Sequence, residues 1–140
     1  MSTFTTPLRT ELVGKYQFKL IEPFEYHIGE YPAPTPLHII KVPAGYITDF
    51  ASIPRVFWPI VSPVDEYAKA AVIHDWLHVR GYFSRTTTDD IFNEAMKVLN
   101  VPDWKRRIVY NAVKYFSGYA WRRNRKKYGT HKIEVHNYEI

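Results

Sequence analysis

No cysteine occurs in this chain of 140 residues, which excludes a disulfide scaffold, thiol catalysis and cysteine-ligated zinc. Any metal site must therefore be built from His, Asp, Glu or backbone oxygen. No apolar run approaches the roughly 20 residues needed to cross a bilayer, so no membrane span is expected. The opening Met-Ser-Thr-Phe-Thr-Thr has no basic segment followed by an apolar core, and no secretory signal is expected from it. Internal repeats and low-complexity segments are also missing.

What is present suits a single globular domain over residues 1–140, long enough to bury a core without crosslinks: 46% of residues are hydrophobic and 16% aromatic. The net charge of +5 is local in origin. Arg122, Arg123, Arg125, Lys126 and Lys127 place five positive charges within six residues, and without them the chain is formally neutral.

The first part of the chain reads as strands and turns. Tyr16, Phe18 and Leu20 alternate with Gln17 and Lys19, and Phe24, Tyr26 and Ile28 resume the alternation after Pro23. Residues 30–36 hold three prolines and read as an extended surface loop. Residues 37–42 and 46–50 flank Pro43-Ala44-Gly45, which predicts a hairpin. Residues 53–63 form a Pro-punctuated apolar connector carrying Val56, Phe57, Trp58 and Ile60.

Helical character follows. The first helix is expected over 64–79, ended by Gly81. The second starts near Thr87, with Asp90 at capping-box spacing and Asp89 near the positive helix end, and presents Ile91, Phe92, Ala95, Met96 and Leu99. The third opens with Asp103 as N-cap and runs to about Lys127 before Gly129. Its residues Trp104, Ile108, Ala112, Tyr115 and Tyr119 read as a core stripe. Strands first and helices afterwards predict an α+β fold, a small antiparallel sheet from the N-terminal half packed on about three helices from the C-terminal half.

Residues 70–78, Ala-Ala-Val-Ile-His-Asp-Trp-Leu-His, place an imidazole and a carboxylate inside an apolar helical run. Leaving one buried partner uncompensated costs on the order of 3–5 kcal/mol, so His74 and Asp75 need partners. His74 and His78 share a helix face at the spacing of a His-Glu-x-x-His zinc site. Asp75 in place of Glu would have to reach a zinc-bound water from further away, and His78 before Gly81 equally suits a surface or helix-end role. The adjacent His-Asp pair also matches the dipeptide of metal-dependent phosphohydrolases. In that pattern Asp89 or Asp90 would supply a further carboxylate, and His27 or His38 the upstream imidazole.

A second dense segment spans residues 45–55, Gly-Tyr-Ile-Thr-Asp-Phe-Ala-Ser-Ile-Pro-Arg. Asp49 and Ser52 fall at a strand end, and Arg55 follows the stiff Pro54. They either point together at a site or cap a turn and form an ion pair.

Taken together, Val-Pro-Ala-Gly-Tyr-Ile-Thr-Asp-Phe-Ala-Ser-Ile-Pro-Arg, Ala-Ala-Val-Ile-His-Asp-Trp-Leu, Ser-Arg followed by Asp-Asp-Ile-Phe, and Val101-Pro102-Asp103-Trp104 resemble the bacteriophage and prophage domain of unknown function 1353 family. The resemblance covers roughly residues 37 to 123. Residues 1–36 form a strand and Pro-rich lead-in, 37–128 the core of the resemblance and 129–140 a C-terminal tail. It implies phage origin and a shared polar cluster of Asp49, Ser52, Arg55, His74, Asp75 and Asp90; a location in the host cytoplasm or the virion and other phage proteins as partners are expected with it. It also implies that an aromatic is commoner at the position of His78, and it carries no known reaction.

If helices joined by a short link pack antiparallel, Asp90 comes near the last turns of the first helix. His74, Asp75 and Asp90 then form a ligand set for a divalent metal, Zn, Mn or Mg, with water completing the shell. His74, Asp75, Asp49, Ser52 and Arg55 are the catalytic candidates. The expectation is a phage protein with a metal-assisted or His/Asp-dependent hydrolytic site, acting on the host cell envelope. The alternative is a non-catalytic virion or tail-associated interaction protein in which the cluster is a buried salt-bridge network. The basic end, Arg122, Arg123, Arg125, Lys126 and Lys127, is a candidate docking patch for nucleic acid or an acidic partner.

Overall fold

The computed structural model describes residues 2–29, 38–49, 55–59 and 67–129, apart from the side chains of His38 and Phe57. It divides into two compact units, Met1–Asp49 with Lys132–Ile140 and Phe50–His131. The α+β class expected from the sequence holds, with the strands in two small antiparallel sheets.

In the first unit β1 (Thr3–Phe4), β4 (Phe24–Ile28) and β5 (His38–Val42) form one sheet in the order β1-β4-β5. Strands β2 (Thr10–Gly14), β3 (Gln17–Leu20) and β6 (Ile47–Thr48) form the other, in the order β2-β3-β6. Period-two alternation is realised where expected: Phe24 and Tyr26 are buried with Ile40 and Val42 across the β4–β5 ladder, and Leu20 is buried while Gln17 and Lys19 are exposed. Burying side chains of this size supplies about 1.5–3 kcal/mol each.

The expected hairpin between residues 37–42 and 46–50 does not form. Strand β5 pairs with β4 and β6 pairs with β3, so Pro43-Ala44-Gly45 carries the chain from one sheet to the other. The turn itself is present. Tyr46 N–H donates to the Pro43 carbonyl at 3.3 Å, and Gly45 takes φ +89 at the third turn position. Pro43 occupies the first position of this turn. Turn chemistry specifies the reversal of a few residues; which strands then pair depends on distant partners.

The second unit contains a 3-10 turn at Arg55–Phe57 and three helices, α1 (Ala68–Arg80), α2 (Arg85–Val98) and α3 (Asp103–Tyr128). The connector over 53–63 falls largely outside the described residues, as do the loop at 30–36 and residues 64–66 of the first expected helix. Helix α1 is buried almost all round, through Ala70, Ala71, Val72, Ile73, His74, Asp75, Leu77 and His78. An all-round buried helix is a central one, and both α2 and α3 pack on it.

Ser84, not Thr87, is the N-cap of α2. Its hydroxyl accepts from Thr87 N–H at 3.1 Å, so the helix starts two residues earlier than Thr87 and Thr87 sits in its first turn. The C-terminal end of α2 is a Schellman motif. Asn100 adopts φ 60, its N–H donates to the Lys97 carbonyl at 3.0 Å, and Val101 N–H donates to the Met96 carbonyl at 3.1 Å. Asp103 is the first residue of α3, after Pro102 as N-cap, and its carboxylate pairs with Arg106.

The stripe expected to bury α3 is displaced around the helix. Val109, Ala112, Val113, Ser117 and Gly118 are buried, whereas Trp104, Tyr115 and Tyr119 are exposed. Small side chains face the bundle because α3 lies close to its neighbours: the Arg85 guanidinium crosses directly over Gly118 and donates to the Lys114 carbonyl at 3.3 Å.

Helix α1 ends on Gly81, at φ 65, with its N–H on the Leu77 carbonyl at 2.9 Å. Arg125 of α3 closes this end. Its Nη2 donates to the His78 carbonyl and, at 2.7 Å, to the Val79 carbonyl, and its guanidinium lies 4.6 Å from the Trp121 ring centroid. A cation thus meets the negative helix end and two orphan carbonyls together. A Cβ at Gly81 would collide with the Arg125 guanidinium. Gly81→Ala is therefore expected to cost more than about 1 kcal/mol, from the left-handed φ alone, before the lost cap is counted. Urea denaturation of the variant checks this, and an unchanged midpoint would contradict it.

Candidate metal and acid–base site

The site is made where the middle and C-terminal turns of α1 face the first turns of α2. His74 is fully buried, and its Nε2 lies 2.7 Å from Asp89 Oδ1. His78, one turn further along α1, is 5% exposed, with its Nε2 3.9 Å from the same oxygen. That distance is beyond hydrogen bonding, and His78 Nε2 has no hydrogen-bond partner among the described residues. The His78 ring is 4.5 Å from that of His74 and meets the Trp121 ring edge-on at 5.1 Å, while Phe92 packs 4.7 Å from His74.

Burial sets the charges. Desolvation lowers the His74 pKa from 6.5 to about 4, against the opposing pull of Asp89. At neutral pH the imidazole is therefore neutral, with Nε2–H donating to the carboxylate. A second proton on Nδ1 would meet no acceptor among the described residues. Burial pushes the Asp89 carboxyl up, but the hydrogen bond from His74 and the nearby His78 outweigh it and hold the carboxyl at about 2. The pair is an ionised carboxylate accepting from a neutral imidazole, a charge-assisted bond worth about 1.5–3 kcal/mol.

Among the described residues, His74, His78 and Asp89 form a group whose ligand atoms all lie within 4.8 Å of one another. Two imidazoles and a carboxylate are a familiar donor set for zinc, with a fourth position left open. Ligand atoms about 2.1 Å from a tetrahedral ion sit roughly 3.4 Å apart. The 2.7 Å pair would open by roughly 0.7 Å and the 3.9 Å pair would close by roughly 0.5 Å. The carboxylate is already ionised and the imidazole neutral, but the imidazole proton sits on Nε2, so holding a cation there requires that proton to move to Nδ1.

The sequence candidates are distributed differently from expectation. His74 is at the centre and Asp75 is buried on the same helix. Asp90, expected as a ligand, is exposed, and its carboxylate accepts from Tyr110 Oη on α3 at 2.7 Å. That bond, with partial burial, pushes the Tyr110 hydroxyl up to about 12. The carboxylate at His74 is Asp89, because consecutive helix residues point about 100° apart. The signal was in the spacing. Asp89 lies three residues before Phe92 and seven before Met96, on the buried face, whereas Asp90 lies four before the exposed Glu94.

His78, read as a surface or helix-end residue, is buried because α1 continues to Arg80 and Trp121 covers it. Asp49 is exposed in the first unit, and Ser52 lies outside the described residues. Arg55 is exposed, 5.8 Å from the Trp58 ring centroid. Of the upstream histidines, His27 is bonded within the first unit to Glu25 and Thr5, and the His38 side chain lies outside the described residues. Of the basic cluster, Arg122, Arg123, Lys126 and Lys127 are exposed, and Arg125 is turned inward as the cap of α1.

A family model described as "Protein of unknown function (DUF1353)" matches residues 18–113. An uncharacterised protein, y4jT, of Sinorhizobium fredii (strain NBRC 101917 / NGR234) is 39% identical over 74 residues, 51% of this chain. The matched region is 22% of that relative, so the chain corresponds to about a fifth of its length. No solved structure matches the chain.

Proposed function

We propose that this chain, which belongs to the DUF1353 family of proteins of unknown function, is a metal-assisted hydrolase centred on His74, His78 and Asp89. The observation that carries the reading is His78 Nε2, a buried nitrogen without a hydrogen-bond partner among the described residues, aimed at a carboxylate that already holds a second imidazole. His74 Nε2, His78 Nε2 and the Asp89 carboxylate would hold the ion, zinc first by donor chemistry, with manganese or magnesium as weaker fits. Such an ion supplies Lewis acidity and lowers the pKa of a water at its open position.

The chain's own residues do the rest. Asp89 supplies the neutralising charge, α1 holds the two imidazoles one turn apart, and Phe92 and Trp121 keep the rings in place. Phage origin, implied by the sequence resemblance, and a host-envelope substrate belong to the same proposal. No helix among the described residues is long and apolar enough to cross a membrane.

One observation favours a second reading, a non-catalytic virion- or tail-associated module. His74 is completely buried and its 2.7 Å bond to Asp89 is already satisfied, which suits an internal polar pin between α1 and α2. Calorimetric titration of chelator-treated protein with zinc, manganese and magnesium separates the two. The metal reading expects zinc to bind at one site and to raise the melting temperature, by about 2.7 kcal/mol of stability at a hundredfold excess over Kd. His78→Ala should lose binding while remaining folded by circular dichroism. Zinc binding weaker than about 1 mM, or unchanged in His78→Ala, would overturn it. Hydrolysis of a cell-envelope preparation and of bis(p-nitrophenyl) phosphate, restored by the ion that binds, tests the catalytic half. Tight binding without turnover of either overturns the catalytic half.

A further inference from the structure

We propose that the outer face of α3 is a binding surface for single-stranded nucleic acid. Helix α3 carries nine of the chain's nineteen Lys and Arg and one of its fourteen acids. The rest of the chain is consequently net acidic. Its single acid, Asp103, is in the first turn and paired with Arg106, so no carboxylate belonging to α3 interrupts the later turns.

On those turns lie rings that do little for the fold. Tyr115 is 81% exposed and Tyr119 69%, one turn apart on the same face. Lys114, Arg122, Arg123 and Lys126 flank them and are all exposed, and the Arg123 guanidinium lies 5.9 Å from the Tyr119 ring centroid. Arg125, although within the basic run, is committed to the end of α1 and takes no part.

The pairing of exposed rings with cations selects the partner. Cations alone would suit any polyanion, including duplex DNA, whose base faces are stacked away from a protein ring. Exposed tyrosines offer π-faces to unstacked bases, and cations beside them track the phosphates. An anionic membrane surface fits less well, because an interfacial helix sinks its apolar face into lipid. The apolar face of α3, Val109, Ala112 and Val113, is buried in the protein.

Fluorescence anisotropy of a labelled oligothymidylate with the full chain, across a salt series, tests this. Binding should weaken linearly on a log–log plot. Arg122→Ala with Arg123→Ala should reduce the slope by about 1.4, at about 0.7 for each phosphate contact removed. Tyr115→Ala and Tyr119→Ala should each weaken binding at least about fivefold. Lys19→Ala with Lys41→Ala, exposed strand residues, should change it little. All these side chains are exposed, and circular dichroism confirms that the variants fold. Absent or salt-independent binding overturns the proposal. So does duplex binding as tight as single-strand binding with tyrosine variants unaffected, or binding to phosphatidylglycerol vesicles but not to the oligonucleotide.

Discussion

Replacing His74 by Ala is expected to destabilise the metal-free protein by about 3–5 kcal/mol, the range for leaving a buried charge without its partner. The Asp89 carboxylate is 2% exposed and ionised, and the 2.7 Å bond from His74 is its short hydrogen bond to a side chain. Removing the imidazole leaves that charge unpaired and a void where a fully buried ring was, so desolvation and cavity costs act together. A domain of this size has about 5–15 kcal/mol in total, and the variant should unfold at markedly lower urea. His74→Gln separates the two costs. Its amide donates to the carboxylate and fills part of the space, so it should recover most of the loss, although it offers a poorer metal ligand. A loss below about 1 kcal/mol for His74→Ala would mean that Asp89 finds another donor or stays protonated, contrary to the charge state derived above.

The second large effect is on acid stability, measured on chelator-treated protein so that only the side chains titrate. The His74 pKa falls from 6.5 to about 4 on folding, chiefly through burial. Between those values the unfolded chain binds more protons than the folded one, so stability rises with pH across the window. The stabilisation is complete above about pH 6.5 and is lost as pH falls through 4, on the order of 3 kcal/mol in all. The Asp89 carboxyl falls from 3.8 to about 2, against its burial and because of His74 and His78. It has the same sign, and its stabilisation disappears between about pH 3.8 and 2. Unfolding free energy from urea titrations between pH 7 and 4 should therefore decline steeply. The decline should be shallower in His74→Gln, which has nothing to titrate there. Parallel curves for the two proteins would show that His74 is not the neutral buried group described here.

Much of the fold was legible locally. Alternation at Gln17–Leu20 and Phe24–Ile28, the Gly81 and Gly129 stops and the existence of three helices follow from side-chain period and end chemistry, which depend on neighbours a few residues away. The importance of His74 was legible too, because an imidazole in the run Ala-Ala-Val-Ile must be buried and must have a partner. Where sequence reading went astray, the deciding quantity was a rotation or a distant pairing. Choosing Asp90 over Asp89, and Tyr115 and Tyr119 as core, required knowing the rotation of α2 and α3 about their axes. That rotation is set by total packing on α1 rather than by any one side chain.

By itself, then, the sequence determined the α+β class, the helices with most of their stops, the lack of thiol chemistry and a buried His-bearing helix that demands a polar partner. These are matters of composition and local period. Tertiary structure alone decided that β5 and β6 belong to different sheets and that Asp89 rather than Asp90 meets His74. It also brought His78 inside, its Nε2 3.9 Å from that carboxylate, and turned Arg125 in to close α1. Each of these depends on contacts between residues far apart in the chain, where a rotation of about 100° decides whether a charge serves a site, a cap or the solvent.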